Sequence, residues 1–412
     1  MKLIYSLGVV LYTALIYIAS PFSQKARKWT RGRRKWAARL EEYSKSDRPT
    51  IWFHCASLGE FEQGRPLIEK LKERAPETRI LLTFFSPSGF EIRKRYEKAD
   101  LVLYLPPDTP GNARRFLRLA RPERAIFIKY EFWYNYLEQL QKSEIPVYLV
   151  SGIFRKEQPF FRSYGRFFRK HLAGFRHFYI QDENSASLLK EIGIDQYTVC
   201  GDTRFDRVHE ISLKAADIEI IERFKCDEKL VVAGSSWPPD EEIIAGYINT
   251  NPDNLKWAIA PHEIDAASIS RLERLINVPV IRYSEADKGD LTGSRVLIID
   301  NIGLLSSVYR YASIAVIGGG FGKGIHNILE AATWGIPVMF GPNYKRFREA
   351  VNLIGHGGAW SFTTDYDFST ILDRFINEDN FLEKSGRSSL LFIKENLGAT
   401  DIICSDLLTN RT

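Results

Sequence analysis

From Leu3 to Ser23 the chain carries no charged residue and is mostly apolar; beyond residue 50, short apolar runs alternate with amphipathic stretches. The first segment approaches the ~20 residues a helix needs to cross a hydrocarbon core. It is apolar nearly all round, unlike a helix buried along one face. The alternation that follows predicts strands over residues 51–55, 79–84, 101–105, 124–128, 146–150, 178–181 and 197–201. Stretches such as 61–74 and 182–192 read as the helices between them. This rhythm specifies a parallel sheet covered on both faces. It pauses over the charged helical stretch 206–228 and restarts with strands at 230–234, 255–260, 278–283, 295–300, 314–318 and 336–340. Two doubly wound, Rossmann-like α/β domains are expected. Ligands in such sheets sit beyond the carboxyl ends of the strands, so two facing domains predict a central cleft.

The resulting division is a membrane anchor over 1–24, a basic juxtamembrane segment over 25–45, an N-terminal domain over 46–207, a linker over 208–228 and a C-terminal domain over 229–412. A length of 412 residues suits two cores of about 200 residues each. With 44% hydrophobic and 26% charged residues the composition is globular rather than disordered. The net charge of +6 is modest for this length and gives no indication of nucleic acid as a partner.

The positive charge is unevenly placed. Lys25, Arg27, Lys28, Arg31, Arg33, Arg34, Lys35 and Arg39 follow the apolar segment, with Trp29 and Trp36 among them, as at a lipid headgroup boundary. The positive-inside bias puts this cluster and everything after it on the cytoplasmic side of a membrane. A cleaved signal peptide would carry its charge ahead of the apolar stretch, where only Lys2 stands. The length suits either a spanning helix or one lying in a single leaflet. Cysteines at 55, 200, 226 and 404 are too scattered for zinc-ligand spacing or a disulfide framework, and no two histidines have helical metal-binding spacing. No protein-held metal and no cofactor is expected.

Candidate chemistry concentrates where strands end. Residues 51–60 run from a strand through Ser57 and Gly59 to Glu60 at a helix start. Small residues admit a ligand to the backbone, while a first-turn carboxylate equally well serves the helix dipole. After the next strand, Ser86, Ser88 and Gly89 offer hydroxyls to a polar ligand, or Ser86 and Pro87 simply start a helix. Glu131 again puts a carboxylate just past a strand. In the second half, the strand at 314–318 feeds Gly318, Gly319, Gly320, Gly322 and Gly324, and a helix is expected to begin at His326-Asn327. Backbone amides of such a loop favour an anion, and Glu330 can accept from ribose hydroxyls. The loop comes late in its domain and lacks dinucleotide-fingerprint spacing, which argues against hydride transfer. Ser235 and Ser236 follow the first strand of this half; Pro261 and His262 follow the second. A lone loop histidine serves equally as a ligand contact or a solvated residue.

Taken in order, these segments resemble the family that transfers 3-deoxy-D-manno-octulosonic acid (Kdo) to the lipid A precursor. His54-Cys55-Ala56-Ser57-Leu58-Gly59-Glu60 is similar to its His-x-x-Ser-x-Gly-Glu element, and Tyr130 to Asn135 to its Thr-Glu-x-Trp-Pro-Asn element. Gly201 to Asp206 resembles its Gly-x-x-Lys-Phe-Asp segment, and Asp300 to Leu305 its Asp-x-x-Gly-Glu-Leu segment. Gly318-Gly319-Gly320 through His326-Asn327-Ile328-Leu329-Glu330, then Gly341-Pro342-Asn343, resembles its glycine and His-Asn-x-Leu-Glu signature. Three positions depart: Pro261-His262-Glu263 lacks a family arginine to the donor, Leu304 replaces a glutamate, and Tyr134 replaces a proline.

The resemblance implies a GT-B fold, CMP-Kdo as donor, the lipid A precursor as acceptor, and inverting transfer without a protein-bound metal. It makes Glu60 the catalytic base. The acceptor side comprises Ser57, Gly59, Ser86, Ser88, Gly89 and Glu131. The donor side comprises Ser235, Ser236, Pro261, His262, Ile302, Gly303, Leu304, Gly318, Gly319, Gly320, His326, Asn327 and Glu330. Cations at 25–39, with Arg155, Lys156, Arg162, Arg166, Arg169 and Lys170, would draw acceptor phosphates and anionic lipid, or are solvated helix faces. The alternatives are a transferase using a UDP-sugar and a catalytically silent membrane-bound nucleotide-binding protein; the presence of Glu60 argues against the second.

Overall fold

The computed structural model describes residues 1–251 and 255–409. The chain forms two compact units, Met1–Asp206 with Leu397–Thr412, and Arg207–Asn396.

Unit 1 opens with helices α1 (Lys2–Ala19), α2 (Gln24–Gly32) and α3 (Trp36–Tyr43). Its strands are β1 (Thr50–Cys55), β2 (Arg79–Phe84), β3 (Leu101–Tyr104), β4 (Arg124–Ile128), β5 (Val147–Gly152), β6 (His177–Ile180) and β7 (Tyr197–Val199). Between them run α4 (Leu58–Arg74), α5 (Pro87–Arg93), α6 (Pro110–Ala120), α7 (Tyr134–Lys142), α8 (Arg166–Leu172) and α9 (Glu183–Glu191). The sheet is parallel, in the order β3-β2-β1-β4-β5-β6-β7. Every residue of β1 is buried, as expected of a strand covered on both faces.

Unit 2 opens with α10 (Thr203–Lys214), which straddles the boundary, and α11 (Glu219–Lys225). Its strands are β8 (Leu230–Ser236), β9 (Lys256–Pro261), β10 (Val280–Arg282), β11 (Val296–Ile298), β12 (Ile314–Ile317), β13 (Val338–Phe340) and β14 (Ala359–Ser361). The helices are α12 (Pro238–Thr250), α13 (Ala266–Leu275), α14 (Leu305–Val308), α15 (Leu329–Ala332), α16 (Arg348–Gly355), α17 (Asp365–Asn377) and α18 (Asp379–Glu395). This sheet too is parallel, in the order β10-β11-β9-β8-β12-β13-β14. The reading from sequence alone has no counterpart to β14, a three-residue strand preceded by Gly357-Gly358.

The last helix, α19 (Ala399–Thr409), returns to unit 1, although the sequence pattern assigns everything from 229 onward to the second domain. Ile403, Cys404 and Leu407 are buried in the unit 1 core with residues of α4, β4 and β6. The crossing is fixed by Asp206, whose carboxylate accepts from the amides of Gly398 and Thr400 at 2.7 Å each. The basic segment is divided in role: Lys25, Lys28, Arg31, Arg34 and Lys35 are exposed, but Arg33 is buried. Its guanidinium donates to the carbonyls of Trp29, Phe85 and Leu105 and stacks 3.7 Å from the Trp29 ring. Burial lowers its pKa to about 9. Arg33 therefore ties α2 to the ends of β2 and β3 and is not available to lipid.

Candidate functional site

The strand order reverses between β1 and β4 in the first sheet and between β8 and β12 in the second, whose order also turns at β11 near its edge. Crevices beyond such switch points are where open α/β sheets bind ligands. The expected site residues gather at these two edges, each within its own unit.

At the unit 1 edge, β1 runs through Ser57 into the first turn of α4. Ser57 stands at the N-cap but does not cap; its hydroxyl donates to the half-buried Glu60 carboxylate. Adjacent β4 ends at Ile128, and Lys129 takes a left-handed φ of +68°, a strained conformation for a side-chain-bearing residue. That bend precedes Glu131, whose side chain is 16% exposed and lies 3.3 Å from Nε2 of the fully buried His54. Trp133 Nε1 donates to the same nitrogen at 2.9 Å. The proton of a neutral His54 therefore sits on Nδ1, 2.9 Å from Thr83 Oγ1. Thr83 Oγ1 also accepts from Trp52 Nε1 at 2.8 Å and donates to the Phe53 carbonyl. This chain from Trp52 through Thr83 and His54 to Trp133 has no counterpart in the residues singled out from sequence, although His54 opens the first motif.

The neighbouring loop is more structural than expected. Ser86 accepts from the Ser88 amide at 3.3 Å as the N-cap of α5. Gly89 is buried, and a Cβ there would lie 2.3 Å from the Phe84 ring and 3.0 Å from the Ser57 backbone. Gly89 thus lets α5 press on the loop carrying Ser57. Gly59 is different: it is exposed, and its nearest neighbour to an added Cβ is 3.8 Å away.

At the unit 2 edge, β8 ends with a register shift, and Ser235 has φ +54°. Ser236 donates to Glu241, which also pairs with Arg271. Gly318 and Gly320 are set by packing: added Cβ atoms would lie 2.3 Å from the Ser235 carbonyl and 2.5 Å from Gly341. Gly319 and Gly324 have positive φ, +88° and +134°. The Gly318 amide donates to the Gly234 carbonyl and that of Gly319 to Asp240 Oδ2. These two amides are engaged within the unit, so they are not the open phosphate donors that the glycine pattern suggests. The expected helix at His326 begins only at Leu329 and is four residues long, which removes its dipole as a phosphate site.

Asp240 Oδ2 also accepts from the Trp237 amide, joining the β8 and β12 loops. Rings of Trp237, His262 and His326 stack in series, with centroids 4.5 and 4.6 Å apart. Trp237 Nε1 donates to His326 Nε2 at 3.0 Å, leaving Nδ1 of a neutral His326 as its donor. Burial, then the charge of His262, lowers the His326 pKa. Asn327 Nδ2 donates to Glu330 at 2.9 Å. Ser235, Ser236, Gly318 to Gly320, Pro261, His262 and His326 are thus brought to one edge. Ile302 is 89% exposed, on a separate loop with Gly303 at φ +98° and Leu304 as N-cap of α14. Trp237 and Asp240 were not singled out from sequence; tryptophan before two prolines reads as a helix start.

A family model described as "3-Deoxy-D-manno-octulosonic-acid transferase (kdotransferase)" matches residues 34–207, the span holding the Glu60 and Glu131 edge. The 3-deoxy-D-manno-octulosonic acid transferase of Aquifex aeolicus is 28% identical over 325 residues, covering 77% of this chain and 83% of that protein. Over most of its length the chain is similar to Kdo transferases. The transferases of Rickettsia felis and Chlamydia trachomatis serovar D are 26% and 25% identical over 85% and 84% of the chain, spanning 76% and 83% of those proteins. Among solved structures, UDP-GlcNAc 2-epimerase from Neisseria meningitidis matches with TM-score 0.61 at 15% identity, covering 88% of this chain and all of that one. MurG from Acinetobacter baumannii matches with TM-score 0.55 at 11% identity, covering 88% and 99%. The fold is therefore the two-domain, parallel-sheet architecture of GT-B glycosyltransferases.

Proposed function

We propose that the protein transfers Kdo from CMP-Kdo to the lipid A precursor, with inversion, at the cytoplasmic face of the inner membrane. The observation that carries the reading is the Ser57–Glu60 pair at the β1/β4 switch point, a half-buried carboxylate oriented by a hydroxyl at a strand end. In the reaction, an acceptor hydroxyl oxygen attacks the anomeric carbon and its proton passes to Glu60. The bond from that carbon to the CMP phosphate oxygen breaks, and its electron pair leaves with CMP. Attack opposite the leaving group inverts the centre. Glu131, beside His54, lies on the adjacent strand end and suits an acceptor hydroxyl.

On the donor side, the rings of Trp237, His262 and His326 offer stacking faces and donors to the nucleotide, and Asn327 and Glu330 suit the ribose. The choice of Kdo follows the activity named for the relatives, and that of CMP as its carrier follows the motif resemblance. The Neisseria meningitidis epimerase was solved bound to UDP-GlcNAc, but its 15% identity carries the fold alone. Exposed cations on α2 and α8, and the apolar α1, support action at a lipid surface. The reading is tested by Glu60→Gln, which keeps shape but cannot take the proton. Transfer should fall by about 1,000-fold or more, with CMP binding unchanged and tighter than UDP binding. Full activity in this variant removes Glu60 from the mechanism.

A further inference from the structure

Helix α1 is apolar over most of its circumference and meets unit 1 along one stripe only. Its half-covered positions, Tyr5, Ser6, Val9, Thr13 and Ile16, recur every three or four residues, so one stripe lies on unit 1. That stripe holds the hydroxyls of Tyr5, Ser6 and Thr13, while Tyr12 and Tyr17 are exposed. Tyr5 Oη donates to the buried Asp108 carboxylate at 2.7 Å, and Ser6 meets Asn135. Lys2 pairs with Glu138 at one end of the helix, and Ser20, just past the other, lies 3.1 Å from Thr30 of α2. The opposite stripe is apolar and bare: Leu3, Leu7, Leu11, Leu15 and Ile18 are 85, 69, 59, 56 and 68% exposed. A helix of a water-soluble surface shows the opposite arrangement.

The docking also bears on how such a helix meets a bilayer. At 1.5 Å per residue α1 is about 27 Å long, and it touches unit 1 near both ends. A spanning path would draw Glu138 and the Asp108 loop into hydrocarbon, together with α8, which Tyr134 joins to Tyr5 through ring contacts of 4.8 to 5.5 Å. Exposed cations flank both ends instead of one. Arg162, Arg166 and Lys170 lie on the Tyr134 side, and Lys25, Lys28 and Arg31 on the Ser20 side. With the helix flat, both groups reach headgroup level together.

We infer that α1 lies in the plane of an anionic phospholipid bilayer, apolar stripe inward to the acyl chains, as a monotopic element docked on unit 1. The inference is independent of the donor and of Glu60, so failure of transfer leaves it standing. It is tested on the full chain carrying Cys226→Ser, to remove the exposed thiol, with Leu3→Cys, Leu11→Cys or Ile18→Cys added singly. Each is spin-labelled and bound to phosphatidylcholine vesicles containing about one quarter phosphatidylglycerol. The expected result is one common depth, within about 5 Å, at all three positions. A spanning helix would place Leu11 deepest, about 10 Å below two shallow ends, and would overturn the inference. Labels left in water, or buried against a second copy of the chain, would overturn it as well. Independently, Leu7→Glu with Leu11→Glu should lower vesicle binding by at least tenfold without changing the melting temperature in vesicle-free buffer; unchanged binding contradicts the inference.

Discussion

The two switch-point edges are built from different materials. In unit 1, β1 and β4 are followed by carboxylates, Glu60 paired with the Ser57 hydroxyl and Glu131 beside His54. In unit 2, β8 and β12 end in small residues whose amides hold the loops to each other, and rings form the accessible surface. The difference teaches that a similar sheet topology can present proton-handling groups on one edge and stacking surfaces on another. It also shows that glycines at a strand end have two separate meanings. Gly318 and Gly320 are small because backbone lies against them, whereas Gly59 faces open space.

That contrast is broken or sharpened first by alanine at the glycines. Gly320→Ala, with backbone 2.5 Å from the new Cβ, should destabilise the protein by about 3 kcal/mol in urea unfolding. Gly59→Ala, in the first turn of α4, should be neutral or stabilising by up to about 1 kcal/mol. A stable Gly59→Ala protein with impaired transfer would mark the place where the acceptor meets the backbone.

The next effect concerns a buried carboxylate in each unit, Asp108 and Asp240, both accepting backbone amides. Burial raises the Asp108 pKa to about 6 against opposing hydrogen bonds from Tyr5 and the amides of Asn135 and Tyr136. The folded state therefore holds this proton more tightly than the unfolded chain. Its stabilising contribution is full below about pH 4 and is lost as pH rises towards 6, a change of about 2–3 kcal/mol. Asp108→Asn should remove that slope from the urea midpoint measured between pH 4 and 7.

Trp237→Phe keeps a ring beside His262 but removes the donor to His326. It should weaken CMP binding by about tenfold in calorimetry while leaving the unfolding midpoint near its original value. Smallest is Ser86→Ala, which removes the cap of α5 and should cost about 1 kcal/mol of stability with little change in transfer.

Much of the architecture was legible because parallel strands buried on both faces are continuous apolar runs. The 79–84 and 124–128 runs coincide with β2 and β4. The short β14 gave too little pattern, and the return of α19 to unit 1 depends on Leu407 and Ile403 meeting residues far away in sequence. Position alone leaves Glu60 a helix-start carboxylate, so the motif resemblance was needed to single it out, and its adjacency to Glu131 needed the strand order that puts β1 beside β4. His54 escaped because a histidine inside a strand reads as core; only the Trp133 and Glu131 contacts reveal its part. The glycine loop drew attention for amide donors, and only the contacts showed two of those amides already engaged.

The central claim is that the unit 1 edge catalyses sugar transfer to a lipid acceptor. Its most direct test is incubation of the full chain with tetraacylated lipid A precursor and CMP-Kdo, followed by mass analysis of the lipid. The account predicts an increment of one or more Kdo residues with the native chain and none with Glu60→Gln. An unchanged lipid with native protein that binds CMP, or a Kdo-bearing lipid at full rate with Glu60→Gln, would contradict it.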